Sequence, residues 1–201
     1  GVFMIDGVFK SGENYQNEHA VALLEGFRKI DIDFKLVESH AHVRSKNVCF
    51  WGWRANVNHV ARNKIIVERG YLGDRFKYSS IATNGLNGFG EFWNVKDDAS
   101  RFDNLFGDLY KQWDSTGDYI LIVGQTPNDA SLRGINLMPW YMEMARKLKE
   151  KFGLPVHFRQ HPNLTKRGQI QKVPRTVFDT QDFDDCLSNA LLVVTFNSNT
   201  G

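Results

Sequence analysis

The sequence predicts an α/β protein made of two Rossmann-like halves with parallel sheets, and two observations carry that prediction. Short apolar runs such as "KIIVERG" (64–70), "YILIVGQ" (119–125) and "LLVVTF" (191–196) recur with helical segments between them. Strands that alternate with helices at this spacing argue for βαβ units. The runs also end on Gly, Pro or small polar residues, as strands do when they deliver loops to the carboxyl edge of a parallel sheet.

The elements follow in order. "VFMIDGVF" (2–9) reads as a strand broken by a turn at Asp6-Gly7. "YQNEHAVALLEGFRKI" (15–30) carries Ala20, Leu23, Leu24 and Phe27 at helical spacing. "DFKLVES" (33–39), "NVCFWGW" (47–53) and "KIIVERG" read as strands. Residues 71–94 hold Gly73, Gly85, Gly88 and Gly90 and many aromatics without periodicity, which suits a functional loop or lid. One helix is expected around 101–113, with Leu105, Leu109 and Trp113 on one face.

The second half is cleaner. Residues 137–152 form the best helix, with Leu137, Tyr141, Met144, Leu148 and Phe152 as its apolar stripe, Pro139 in its first turn and Gly153 as its stop. "LPVHFRQHP" (154–162), "TVFDT" (176–180) and "LLVVTF" are strands, and 182–190 a short helix. The domain reading is an N-terminal half over 1–95, a connector over 96–117 and a C-terminal half over 118–201.

Composition narrows the function classes. With 42% apolar and 24% charged residues the chain is an ordinary globular protein, and a net charge of +2 gives no argument for a nucleic-acid or membrane partner. Cys49 and Cys186 stand far apart in unlike contexts, which suits two unpaired thiols in a reducing compartment. No apolar run approaches a membrane span and no signal peptide opens the chain, so a cytoplasmic protein is expected.

Three loops carry candidate chemistry. In "GQTPNDASLRG" (124–134), Gly124 permits a sharp turn, while Thr126, Asn128 and Ser131 supply short donors; the loop contains neither a Walker A nor a GxGxxG pattern. In "HFRQHPN" (157–163), His157, Arg159 and His161 share strand parity. If the strand stays extended, the two histidines lie about 13 Å apart at roughly 3.3 Å per residue, too far for one metal ion. His161 at the strand end suits donation to an anion, with Lys166 and Arg167 raising the local positive potential; a solvated basic turn is the other reading. The terminal Asn197, Ser198, Asn199 and Thr200 offer hydroxyl, amide and backbone donors to a phosphate. All three loops are expected at the same edge of one sheet.

In the first half, Glu68 ends a buried strand and suits a general base, or else a salt-bridge partner of Arg69 or Arg75. Asp6 is a weaker acid candidate, and "HAH" (40–42) reads as surface. Trp51, Trp53 and Trp93 suit stacking on a sugar or base, but core packing is the commoner use.

A strand, a Gly-turn, a long helix, a strand ending in "HP" and then "VVTFNSNTG" resemble the C-terminal half of a GT-B glycosyltransferase. The resemblance is to the capsular-polysaccharide biosynthesis type, with its Kdo-transferring and sialyl-transferring relatives. It implies that His161 and Pro162, and Ser198 with Asn197, Asn199 and Thr200, hold the phosphate of a nucleotide-sugar donor. The segment 68–88 resembles the acidic-Gly stretch of the first half, which makes Glu68 the acceptor-side candidate. Members of that group continue past the Ser-rich loop, so the resemblance implies a second half that is incomplete at Gly201.

The function expected is transfer of a sugar from a nucleotide-sugar donor to a glycan or other hydroxyl acceptor. No metal and no cofactor beyond the donor are expected, because helix N-termini and basic side chains can stabilise the leaving phosphate. The alternatives are a nucleotide-sugar epimerase and a non-catalytic nucleotide-binding remnant of the fold.

Overall fold

The computed structural model of the chain describes residues 3–10, 12, 14–53, 61–74, 76–92, 98–112 and 116–198. The chain divides into two compact units, residues 1–110 and 111–201.

The first unit contains β1 (Met4–Val8), α1 (Asn14–Arg28), β2 (Asp33–Leu36), β3 (Asn47–Trp51), β4 (Asn63–Arg69) and β5 (Ser79–Thr83). Among the described residues these strands form a five-stranded sheet in the order β2-β1-β3-β4-β5. The first four strands run parallel, and β5 returns antiparallel to β4 with Glu68 opposite Ser80. One face of α1 closes over the sheet, where Leu23, Leu24 and Phe27 pack on Ile5, Phe34, Cys49 and Val67.

Three expectations for this unit are corrected. Asp6 and Gly7 lie inside β1 rather than in a turn. The Phe34 ring fills the space above Gly7, where a Cβ would stand 2.4 Å from Phe34 Cζ and would have to displace it. Asp6 is 2% exposed, and its Oδ2 accepts the backbone N–H groups of Arg44 and Ser45, so it ties a loop to β1. Second, the segment 71–94 is not loop throughout, because β5 lies within it. Its entry is a tight return in which the Gly70 N–H donates to the Tyr78 carbonyl. Only Ala82 of β5 is buried, so an edge strand of this kind leaves no apolar run in the sequence. Third, α2 spans only Ser100–Phe106, followed by a 3-10 turn at Gly107–Leu109. Leu105 and Leu109 are exposed, and Trp113 lies outside the described residues.

The second unit contains β6 (Tyr119–Val123), α3 (Met138–Phe152), β7 (Val156–Arg159), α4 (Pro162–Lys166), β8 (Val177–Phe178), α5 (Phe183–Ser188) and β9 (Ala190–Val194). The strands are all parallel in the order β8-β7-β6-β9. Every residue of β6 is buried, as its continuous apolar run requires of a central parallel strand. On one face, Tyr141 and Ala145 of α3 pack on Ile122, Val156 and Phe158. On the other, Cys186 of α5 packs on Tyr119, Leu121 and Val123. The α3 stop at Gly153 is a left-handed cap at φ 70°. Phe152 is 39% exposed, so the apolar stripe ends at Leu148.

Strand β7 stops at Arg159, two residues before His161, and Pro162 opens α4. The shared parity of His157 and Arg159 therefore does not extend to His161. Among the described residues, no helix is long and apolar enough to cross a membrane.

Candidate functional site

A cleft of about 880 Å³ opens at the carboxyl edge of the second sheet. Its walls come from the segments that follow β6, β7, β8 and β9. In a parallel sheet the loops after all strands emerge on this edge, which is where ligands of open α/β sheets are bound.

Gly124 follows β6 and lines the cleft. Its N–H donates to the Arg159 carbonyl at 2.8 Å, and a Cβ would sit 2.7 Å from Phe158 Cζ. The chain thus presses against β7, and only glycine fits. The next residue, Gln125, is 8% exposed and braces the site. Its backbone N–H donates to the Tyr141 hydroxyl, its Oε1 accepts the Asn197 N–H at 3.0 Å, and its side-chain amide donates to Asn197 Oδ1. That clamp fixes the segment after β9 against the segment after β6 and sets Ser198 on the cleft wall.

Gln160 does the same after β7. It is 8% exposed; its amide donates to Thr165 Oγ1 and the Gln169 carbonyl, and its Oε1 accepts the Gln171 N–H. The 165–171 segment is thereby wrapped around one buried amide. Residue 161 then leaves the sheet, and His161 Nδ1 accepts the Asn163 N–H at 3.1 Å as the cap of α4. With Nδ1 accepting, the proton of the neutral ring sits on Nε2, which is then a donor. Desolvation holds the His161 pKa below its ordinary value, against the pull of Asp129. Lys166 lines the same cleft.

On the β8 side, Asp179 lines the cleft with its side chain fully covered. Burial pushes its carboxyl pKa up, but hydrogen bonds from His157 and from the backbone and side chain of Gln181 outweigh this and hold it below the usual range. His157 Nδ1 lies 2.8 Å from Asp179 Oδ2, and its ring stacks on Tyr119 at 3.8 Å between centroids. Arg159 donates to the Gln181 carbonyl, stands 3.7 Å from Asp179 Oδ1 and lies over the Phe183 ring at 5.3 Å.

The structure therefore brings Gly124, Arg159, His161, Lys166 and Ser198 onto one cleft. Other sequence candidates fall elsewhere. Thr126 and Ser131 do not line it, and Ser131 donates its hydroxyl and its N–H to Asp129. Asn128, with φ 61°, borders a separate pocket of about 90 Å³, room for roughly three waters. Asn197 is engaged by Gln125 and lies 3.5 Å from the Ser131 carbonyl. Asn199 and Thr200 lie outside the described residues.

Glu68 belongs to the first unit, half-buried near the end of β4. The neighbouring Arg69 guanidinium lies over the rings of Tyr15 and Phe76 at 5.0 and 5.2 Å. Trp51 and Trp53 pack against the core clusters, and Trp93 lies outside the described residues. Sequence reasoning missed Gln125, Gln160, Asp179 and Phe183. The first two had one usable signal, a glutamine within two residues of the end of an apolar strand.

No family model and no curated protein matches the chain. Solved structures do. Thermosulfurimonas dismutans KpsC, a beta Kdo 2,7 transferase, is 16% identical and aligns over 99% of this chain and 74% of its own with a TM-score of 0.58. The beta Kdo 2,4 transferase of KpsC from the same organism is 17% identical over 97% of this chain and 74% of its own, with a TM-score of 0.56. At these identities the likeness is one of fold. The chain has the Rossmann-like α/β fold, dominated by parallel sheets, of these Kdo transferase structures.

Proposed function

We propose that this protein is a metal-independent glycosyltransferase of the cytoplasm that takes its sugar from a nucleotide-sugar donor. The observation that carries the reading is the cleft, in which a neutral His161 with a donor Nε2–H, Lys166 and Ser198 share one wall system with the close-packed Gly124. Such a set of donors suits the phosphate of a nucleotide, and developing negative charge on a leaving phosphate is what preorganised donors stabilise best. In the proposed reaction, a carboxylate of the first unit, Glu68, removes the proton from an acceptor hydroxyl. The freed oxygen attacks the anomeric carbon as the bond to the donor phosphate breaks, and the phosphate departs with its electron pair. The acceptor is a glycan or another hydroxyl compound. The fold shared with the KpsC transferases supports this chemistry without fixing the sugar, the base or the acceptor.

The test is titration of CMP, UDP and GDP into the parent chain and His161→Ala. Loss of one hydrogen bond of about 0.5–1.5 kcal/mol predicts affinity weaker by roughly 2- to 10-fold with the fold intact. Equal binding by the two chains removes His161 from the donor site. Donor hydrolysis with release of free nucleotide separates an enzyme from a nucleotide-binding protein, which would bind without turnover.

A further inference from the structure

Building on the nucleotide-sugar reading, we propose that the cleft holds its nucleotide in one orientation: the heterocycle packs on a platform made by Arg159 and Phe183, and the phosphate lies toward His161, Lys166 and Ser198.

Arg159 is the residue whose role changes most between sequence and structure. A lone arginine after a parallel strand suits a phosphate. Here its charge is already engaged, by the Gln181 carbonyl and by Asp179 at 3.7 Å. What it brings to the cleft is a flat guanidinium set over the Phe183 ring at 5.3 Å. Phe183 is 37% exposed although it lines the cleft, so a large aromatic surface waits there for an apolar or aromatic partner. Planar cations and aromatic rings are the side chains on which bases stack, and stacking needs no particular base.

Charge sets the direction. Asp182, Asp184 and Asp185 open α5 around Phe183, and Asp179 lies just before them. A phosphate at this end would sit in the negative field of that acidic turn, beside a guanidinium that is already paired. Lys166 and Arg167 follow His161 past β7, outside that acidic turn. The strand order β8-β7-β6-β9 then arranges the cleft linearly, with Phe183 beyond β8, His161 and Lys166 beyond β7 and Ser198 beyond β9. Three strand spacings of roughly 4.8 Å separate the two ends, a span suited to an extended nucleotide sugar with its base at β8.

The experiment uses the full chain with CMP, UDP, GDP and inorganic phosphate as probes, measured by calorimetry on the parent, Phe183→Ala, Phe183→Tyr, Arg159→Lys and Lys166→Ala. Stacking predicts that Phe183→Ala lowers nucleotide affinity on the order of 10-fold or more relative to inorganic phosphate. Phe183→Tyr, which keeps the ring, should stay within about 3-fold of the parent. Arg159→Lys keeps the charge and loses the flat face, so it should behave like Phe183→Ala. Lys166→Ala should weaken phosphate and nucleotide together. The proposal is overturned if Phe183→Ala and Arg159→Lys leave nucleotide affinity unchanged, or if they weaken inorganic phosphate as much as nucleotide. A parent chain that binds none of the nucleotides overturns the nucleotide-sugar reading itself, and the orientation with it. Thermal unfolding of each variant confirms that the chain compared is folded, and the tyrosine variant keeps the test decisive if the alanine variant is not.

Discussion

Replacing Gly124 by alanine tests the packing on which the cleft depends. The added Cβ would stand 2.7 Å from Phe158 Cζ, 3.1 Å from Cε2 and 3.2 Å from the Arg159 carbonyl oxygen. Gly124 is not among the residues with positive φ, so the cost is steric and not conformational. Neither neighbour yields easily. Phe158 is fully buried and lies edge-on to Tyr141 at 5.0 Å, and the Arg159 carbonyl is held by the Gly124 N–H. Overpacking of this kind costs about 1–3 kcal/mol. Alanine also lowers the entropy of the unfolded chain, which returns about 0.4–1 kcal/mol. The net expectation is a loss of about 1–2 kcal/mol. In urea this lowers the midpoint by roughly 0.5–1 M at an unchanged slope. Pairing the change with Phe158→Leu, which removes the clashing atom, should cost less than the two single changes added together. A Gly124→Ala chain as stable as the parent, or a double variant whose losses simply add, would refute the argument that the ring excludes a Cβ here.

Two further outcomes follow from the titrating groups. The His161 pKa is depressed in the folded chain, so its contribution to stability is complete above the ordinary histidine value of about 6.5 and is lost as pH falls below it; the stability difference between parent and His161→Asn should be flat above pH 7 and shift against the parent on acidification, and a shift in the parent's favour would contradict the desolvated, neutral ring. Burial pushes the Cys49 thiol up to about 12 and raises Cys186 as well, so a thiol-reactive dye at pH 8 should label neither in the native protein and both after unfolding; rapid native labelling would show that one of the two is not sealed in its core cluster.

What was legible in the sequence was whatever lays a continuous apolar face on the core. Strand β6 and helix α3 could be read because the layers that cover them demand uninterrupted apolar residues in one and a 3.6-residue stripe in the other. Strand β5 could not, since one buried alanine in a run of Ser, Ile and Thr makes no periodic signal. Five-residue α4 could not either, although its consequence is large, because it takes His161 off the strand and makes it a cap. In α2 the apolar spacing was real, yet Leu105 and Leu109 are exposed, so periodicity reported helix potential without reporting burial. The site shows the same limit. His161 was readable from a strand end followed by proline, whereas the engagement of Arg159 depends on Asp179 and Gln181, some twenty residues further along the chain.

The glutamines explain why the cleft can be largely preformed. A loop at the carboxyl edge of a parallel sheet has backbone donors and acceptors that the ladder no longer satisfies, and each left unpaired in a buried wall would cost about 1–3 kcal/mol. Gln125 stands two residues past the end of β6, after the Gly124 step, and Gln160 directly past Arg159 at the end of β7. Each uses both ends of its amide on the backbone or side chains of a distant segment. Charged residues in those places would carry a desolvation penalty and bias the field of the cleft, while an amide closes the same contacts without net charge. The walls after β6 and β7 are therefore braced by neutral amides, and the ionic character of the site is left to Lys166 and to the Arg159–Asp179 pair on the β8 side. A ligand entering such a cleft meets little reorganisation, so its affinity depends on how well its own polarity matches those groups.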